Sequence, residues 1–116
     1  MKKVELLAPA GNFDCLKAAI NNGADAIYLG GKNFSARAFA NNFDQEELIK
    51  AIKYAHLKDV RIYVTLNTLI NEFEFDNAIK MADFYYQNNV DGLLIQDLGL
   101  YYVLKNKYPD CCLYIL

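Results

Sequence analysis

The sequence has no tryptophan, one histidine, two prolines and three cysteines among its 116 residues, and each scarcity excludes something. His56 is the sole histidine, and it falls on a helical segment away from the strand ends, so no Ser/His/Asp or Cys/His arrangement can be assembled. Cys15 stands alone and Cys111-Cys112 are adjacent, so there is no C-x-x-C and no cysteine–histidine cluster. A zinc site draws on about four such ligands, so no metal is expected in this chain, and the thiols read as reduced cytosolic cysteines. No apolar run approaches the ~20 residues of a membrane span. The stretch from Leu6 to Ala10 is too short for the core of a signal peptide, and Pro9 and Gly11 interrupt it. Charge of one sign is also lacking: 12 basic against 14 acidic residues leave a net charge of −2. There is no basic footprint for nucleic acid and no polybasic run for a membrane surface. The expectation is a soluble, cytoplasmic chain with no membrane partner.

What is present is apolar material: 54% of the residues, ample for the core of one domain spanning 1–116. It falls in five short runs, Val4–Ala8, Ala26–Leu29, Arg61–Leu66, Gly92–Ile95 and Leu113–Leu116. Most are nearly continuous rather than alternating, as strands buried on both faces of a parallel sheet require. Helical patterns lie between them. Asn12 caps the first, Phe13, Leu16 and Ile20 share one face, and Gly23 stops it. Asp44 with Glu47 and Asn71 with Glu74 make capping-box patterns for the second and third. Phe43/Leu48 and Ile70/Phe75 supply their staples. Phe75, Ala78, Ile79, Ala82 and Tyr86 form the buried stripe of the third. The fourth runs from about Asp97 to Lys107, before Pro109.

The order βαβα predicts an α/β fold. A strand spacing near thirty residues matches the ~250 residues of an eight-unit barrel. We therefore expect a partial TIM-type barrel of about four βα units plus a fifth strand, truncated inside that strand. A complete five-stranded flavodoxin-like sheet is the alternative. The segments ending in Asp25-Ala26-Ile27 and Asp91-Gly92-Leu93 echo each other. They place both aspartates at N-terminal strand ends, where barrels build stability rather than chemistry. Bare strands at either edge predict self-association.

Ligand sites of such folds lie at the C-terminal strand ends. Those ends carry Gly11, the long loop 29–42 with Arg37, then Asn67, then Asp97. The loop exceeds the ~2–6 residues usual for a βα connection. Gly30-Gly31-Lys32 lacks the spacing of a phosphate loop. Arg37 can grip a carboxylate or phosphate in bidentate fashion, or staple its own loop. Asn67 can orient a substrate amide or form a turn. Asp97 is a general base or metal-ligand candidate, with the helix cap as the plainer role. Glu5, read within the first strand, is the second catalytic candidate. If it reaches the interior it needs a Lys or Arg from another strand. His56 falls on the outer surface of the second helix.

Glu5-Leu6-Leu7-Ala8-Pro9-Ala10-Gly11-Asn12, Asn22-Gly23-Ala24-Asp25-Ala26-Ile27-Tyr28-Leu29-Gly30, Ala36-Arg37-Ala38-Phe39-Ala40-Asn41-Asn42-Phe43, Val64-Thr65-Leu66-Asn67-Thr68 and Ile95-Gln96-Asp97-Leu98-Gly99-Leu100 occur in that order. Together they resemble the N-terminal segment of the peptidase U32 family, the collagenase-like proteases. The resemblance implies a longer protein that hydrolyses peptide bonds, with a peptide or protein as substrate. It also implies an alternative: tRNA or rRNA hydroxylation, with RNA as partner and an iron–sulfur cluster held by cysteines later in the full-length chain. Cys15, Cys111 and Cys112 do not match those positions, so no cofactor is assigned to this segment. A third reading makes the segment alone a catalytically inert scaffold.

Overall fold

A computed structural model of the chain describes residues 5–30, 43–66 and 75–115. Nine elements alternate along it: β1 (Leu7–Pro9), α1 (Phe13–Asn21), β2 (Ala26–Gly30), α2 (Gln45–Leu57), β3 (Arg61–Leu66), α3 (Phe75–Gln87), β4 (Gly92–Ile95), α4 (Leu98–Lys107) and β5 (Leu113–Ile115). The strands form one parallel sheet in the order β1-β2-β3-β4-β5. This sequential order excludes the flavodoxin-like alternative, whose chain reverses direction across the sheet (2-1-3-4-5). Here every crossover steps the same way.

The register separates two faces. Ile27, Ile62 and, one rung on, Leu29, Val64 and Leu93 lie side by side, followed by Leu66 and Ile95. All are buried, and they share one core with Leu16 of α1, Ala51 and Ala55 of α2, Ala78, Ala82 and Tyr85 of α3, and Leu100 and Leu104 of α4. Burying each large aliphatic contributes roughly 1.5–3 kcal/mol, so this helix-covered face holds the fold together. The alternate residues form the other face. Tyr28, Tyr63 and Gly92 share one rung, and Gly30, Thr65, Leu94 and Tyr114 the next. Helices packed on one face of a sequentially ordered parallel sheet make this an α/β fold of repeated βα units.

Helix exits repeat one device. Gly23, Asp59 and Asn89 all adopt positive φ (96°, 59° and 65°). In each case the following residue donates back to the last full turn: Ala24 to Ala19, Val60 to Ala55, Val90 to Tyr85. These are three Schellman closures, and each turns the chain directly into the next strand. Asp44 and Glu47 form the expected capping box, with Phe43 and Leu48 both buried beside it.

Two sequence expectations need correction. The first strand begins at Leu7, not Val4, and extends through Pro9, so Glu5 precedes it. An edge position tolerates this proline, because its missing N–H faces no neighbour; the ladder resumes with the Ala10 N–H donating to the Tyr28 carbonyl at 3.1 Å. In α3 the deeply buried tyrosine is Tyr85, in helical step with Ala78 and Ala82. Tyr86 turns instead to α4, stacking on Tyr108 at 4.0 Å and donating to Asp110 at 3.1 Å. Asn71, Glu74 and Ile70 lie outside the described residues.

Candidate functional site at the C-terminal strand ends

The C-terminal edge of the sheet is assembled from helix starts. Gly11 sits between β1 and the cap of α1, where Asn12 Oδ1 accepts the Cys15 N–H at 2.8 Å. At the end of β2 the Phe43 N–H donates to the Gly30 carbonyl at 3.3 Å. That bond joins the two described residues that flank positions 31–42 in the sequence. Arg37 belongs to this segment and lies outside the described residues. So does Asn67, which follows directly on the last residue of β3. Asp97 follows β4, where its Oδ1 accepts the Leu100 N–H at 2.9 Å and its carbonyl accepts from Tyr101 at 3.0 Å. The plainer role read from the sequence, N-cap of α4, is therefore occupied by geometry. A Cβ on Gly99 would stand 3.2 Å from the same Oδ1, so Gly99 leaves room for the cap. Gly11 and Asp97 thus share one edge.

Glu5 lies at the opposite end. Its Oε2 is 2.7 Å from Arg61 Nη2, at the start of β3, which is the cross-strand partner expected of a carboxylate there. Glu5, Leu7, Tyr63, Leu94 and Tyr114 line a concavity of ≈ 360 Å³ on the helix-free face. Within it Tyr63 and Tyr114 meet edge to face at 5.9 Å. Burial first, and the Glu5 charge second, hold the Tyr63 hydroxyl above its ordinary pKa. The sequence reading missed this aromatic row. Its signal was the period-two placement of Tyr28 and Tyr63 among aliphatic neighbours.

The two echoing aspartates perform the same task at this N-terminal end. Asp25 Oδ2 accepts the Leu6 N–H at 2.8 Å while its own N–H donates to the Leu6 carbonyl at 2.8 Å. Asp91 Oδ2 accepts the Ile62 N–H at 2.7 Å while its N–H donates to the Ile62 carbonyl at 2.8 Å. Each clamps the start of its strand to the neighbour, which is structural work. His56 lies on the exposed surface of α2 as expected, and it has a partner that the sequence did not reveal: its Nε2 lies 2.8 Å from Asp91 Oδ2. The missed signal is positional, since the end of α2 and the start of β4 meet at the same sheet edge.

The donor set does not suit the iron–sulfur cluster that the resemblance implies for the longer protein. Such a cluster takes about four thiolates converging on one point. Cys15 is in the first turn of α1, at the C-terminal edge of the sheet, whereas Cys111 and Cys112 precede β5 at the other edge. Among the described residues no three His, Cys, Asp or Glu side chains converge to hold a metal. None of the described helices is long and apolar enough to cross a membrane.

Comparison with known proteins agrees with this architecture. An uncharacterized protease of Methanocaldococcus jannaschii is 44% identical over 99 residues, covering 85% of this chain and 24% of that protein. A 23S rRNA 5-hydroxycytidine synthase of Escherichia coli is 38% identical over 98 residues, covering 84% of this chain and 15% of that one. The chain thus spans a quarter or less of the curated relatives it matches. A solved U32 peptidase superposes on the whole chain with a TM-score of 0.77 across 51% of its own length, at 12% identity; at that identity the likeness concerns the fold alone. The family model for peptidase family U32 matches residues 11–114, and the chain belongs to that family.

Proposed function

We propose that the complete protein hydroxylates a base in RNA, and that these residues supply part of the rim that holds the RNA strand. The observation supporting this is the 38% identity across 84% of the chain with a relative named for making 5-hydroxycytidine in 23S rRNA. That relative is named for a defined product, whereas the M. jannaschii relative is named only as an uncharacterized protease. In this reading Arg37 grips a phosphodiester with its guanidinium fork. Asn67 offers a donor and an acceptor to a base edge. Gly11 keeps the backbone open to close approach, and Asp97 fixes the first turn of α4. Glu5, paired with Arg61 at the far end, aligns β1 with β3 rather than touching the substrate. Any iron–sulfur cluster draws its thiolates from outside Cys15, Cys111 and Cys112.

The test is nucleoside mass spectrometry of tRNA and rRNA from a strain lacking the gene. One hydroxylated pyrimidine disappears, the wild-type gene restores it, and Arg37→Ala restores it poorly. An unchanged nucleoside profile removes the reading. The second reading, peptide-bond hydrolysis, is favoured by the 44% identity with the uncharacterized protease. Cleavage of unfolded collagen by the clean, complete protein, with the nucleoside profile unchanged, puts it first.

A further inference from the structure

Cys111 and Cys112 take no part in the rim. Both are free thiols, Cys112 exposed and Cys111 half-buried against the core. They form the joint between the α4 exit and β5. The Cys111 N–H donates to the Tyr108 carbonyl at 3.1 Å, closing the turn, and the Cys112 carbonyl accepts the Leu93 N–H at 2.9 Å, opening the β4–β5 ladder. Cys111 Sγ already leans toward that carbonyl, at 3.9 Å. We propose that Cys111-Cys112 is a redox-sensitive dithiol that closes reversibly to a vicinal disulfide by exchange with a low-molecular-weight disulfide, loosening the first rung between β4 and β5.

The chemistry runs in two balanced steps. The exposed Cys112 thiolate attacks a sulfur of the disulfide RSSR, forming a mixed disulfide and expelling one RS⁻, which takes up the proton that Cys112 lost. The Cys111 thiolate then attacks Cys112 Sγ and expels the second thiol. Two cysteine thiols are oxidised, and one RSSR is reduced to two RSH. Burial holds the Cys111 thiol above its ordinary pKa, which lowers the fraction present as thiolate for the second step.

The resulting bond is strained. Neighbouring Cα atoms are ~3.8 Å apart across a trans peptide, whereas ordinary disulfides span roughly 4.4–6.8 Å. The small ring therefore restricts ψ of Cys111 and φ of Cys112 to the narrow range that ring closure allows. The Cys112 carbonyl is carried on the same Cα and moves off Leu93. Strain also makes the bond readily reducible, which suits a reversible device.

The experiment exposes the complete protein to glutathione disulfide and reads peptide mass and amide hydrogen exchange. The peptide carrying both cysteines loses about 2 Da. The Leu93 amide exchanges about tenfold faster or more, and dithiothreitol reverses both changes. Cys111→Ser instead accumulates a stable glutathione adduct on Cys112; Cys111→Ala repeats this if the serine variant does not fold. A stable adduct in the wild-type protein, no reaction at either thiol, or a disulfide that leaves Leu93 protection unchanged would each overturn the proposal.

Discussion

The Tyr63 ring lies across Gly92 on the neighbouring strand: a Cβ on Gly92 would stand 2.8 Å from Tyr63 Cδ1 and 3.1 Å from the Cys112 carbonyl. The glycine is thus what allows an aromatic side chain to lie flat over β4 and reach Tyr114 of β5. One missing methyl group sets the shape of the helix-free face across three strands.

Gly92→Ala therefore overpacks this face. The ring can rotate away but the carbonyl cannot, so a loss of about 1–3 kcal/mol is expected in urea unfolding. Tyr63→Ala in the same background recovers the part due to the ring. Strictly additive effects of the two substitutions would show that the ring and the glycine are not coupled.

Asp91 serves two partners through one oxygen, the Ile62 N–H and His56 Nε2. Asp91→Ala strands the amide at the start of β3 and is expected to cost about 1–3 kcal/mol. His56→Ala removes only a half-exposed pair and costs less than about 1 kcal/mol. In a double-mutant cycle the histidine's contribution vanishes once Asp91 is gone. Equal penalties for the two single variants would mean that the imidazole, not the amide clamp, is the stabilising partner.

The clamps show what the sequence could and could not reveal. Asp25 and Asp91 were visible as an echo, because each follows a helix exit and precedes a buried strand, and that order survives without coordinates. The capping box at Asp44 and Glu47 and the cap at Asp97 were equally local. What escaped was set by register between distant segments: Arg61 as the partner of Glu5, and His56 as the partner of Asp91. The Tyr85-for-Tyr86 exchange in α3 has the same origin. Both positions lie within the reach of a helical stripe, and only the placement of α4 beside α3 decides which ring turns inward. At the rim, Gly11 and Asp97 fall on one edge as the βα order requires, while Arg37 and Asn67 fall outside the described residues.

Burial of Tyr85 in the core raises its phenol pKa far above the usual value near 10. The native state therefore binds this proton more tightly than the unfolded chain does. The sign follows: this contribution to stability is fully present below about pH 10 and is lost as pH climbs toward the native-state value. An ultraviolet difference titration should show the surface tyrosines ionising first, and Tyr85 only together with unfolding. Tyr85→Phe removes that last step. Ionisation of all nine tyrosines in the ordinary range with the fold intact would contradict the burial argument.

Asp97 is the rim residue whose two possible roles can be separated cleanly. As a cap it needs only a side-chain oxygen at the position that accepts the Leu100 N–H. Asparagine supplies that oxygen nearly as well as aspartate, whereas alanine supplies none. Asp97→Ala is thus expected to cost about 0.5–2 kcal/mol of stability, and Asp97→Asn only a few tenths. A proton-transferring carboxylate behaves differently, because an amide cannot exchange the proton at any useful pH. If Asp97 only positions α4, the Asn variant of the complete protein keeps its activity and the Ala variant loses activity in proportion to its lost stability. Loss of activity in a fully stable Asn variant would place the carboxylate itself in the chemistry.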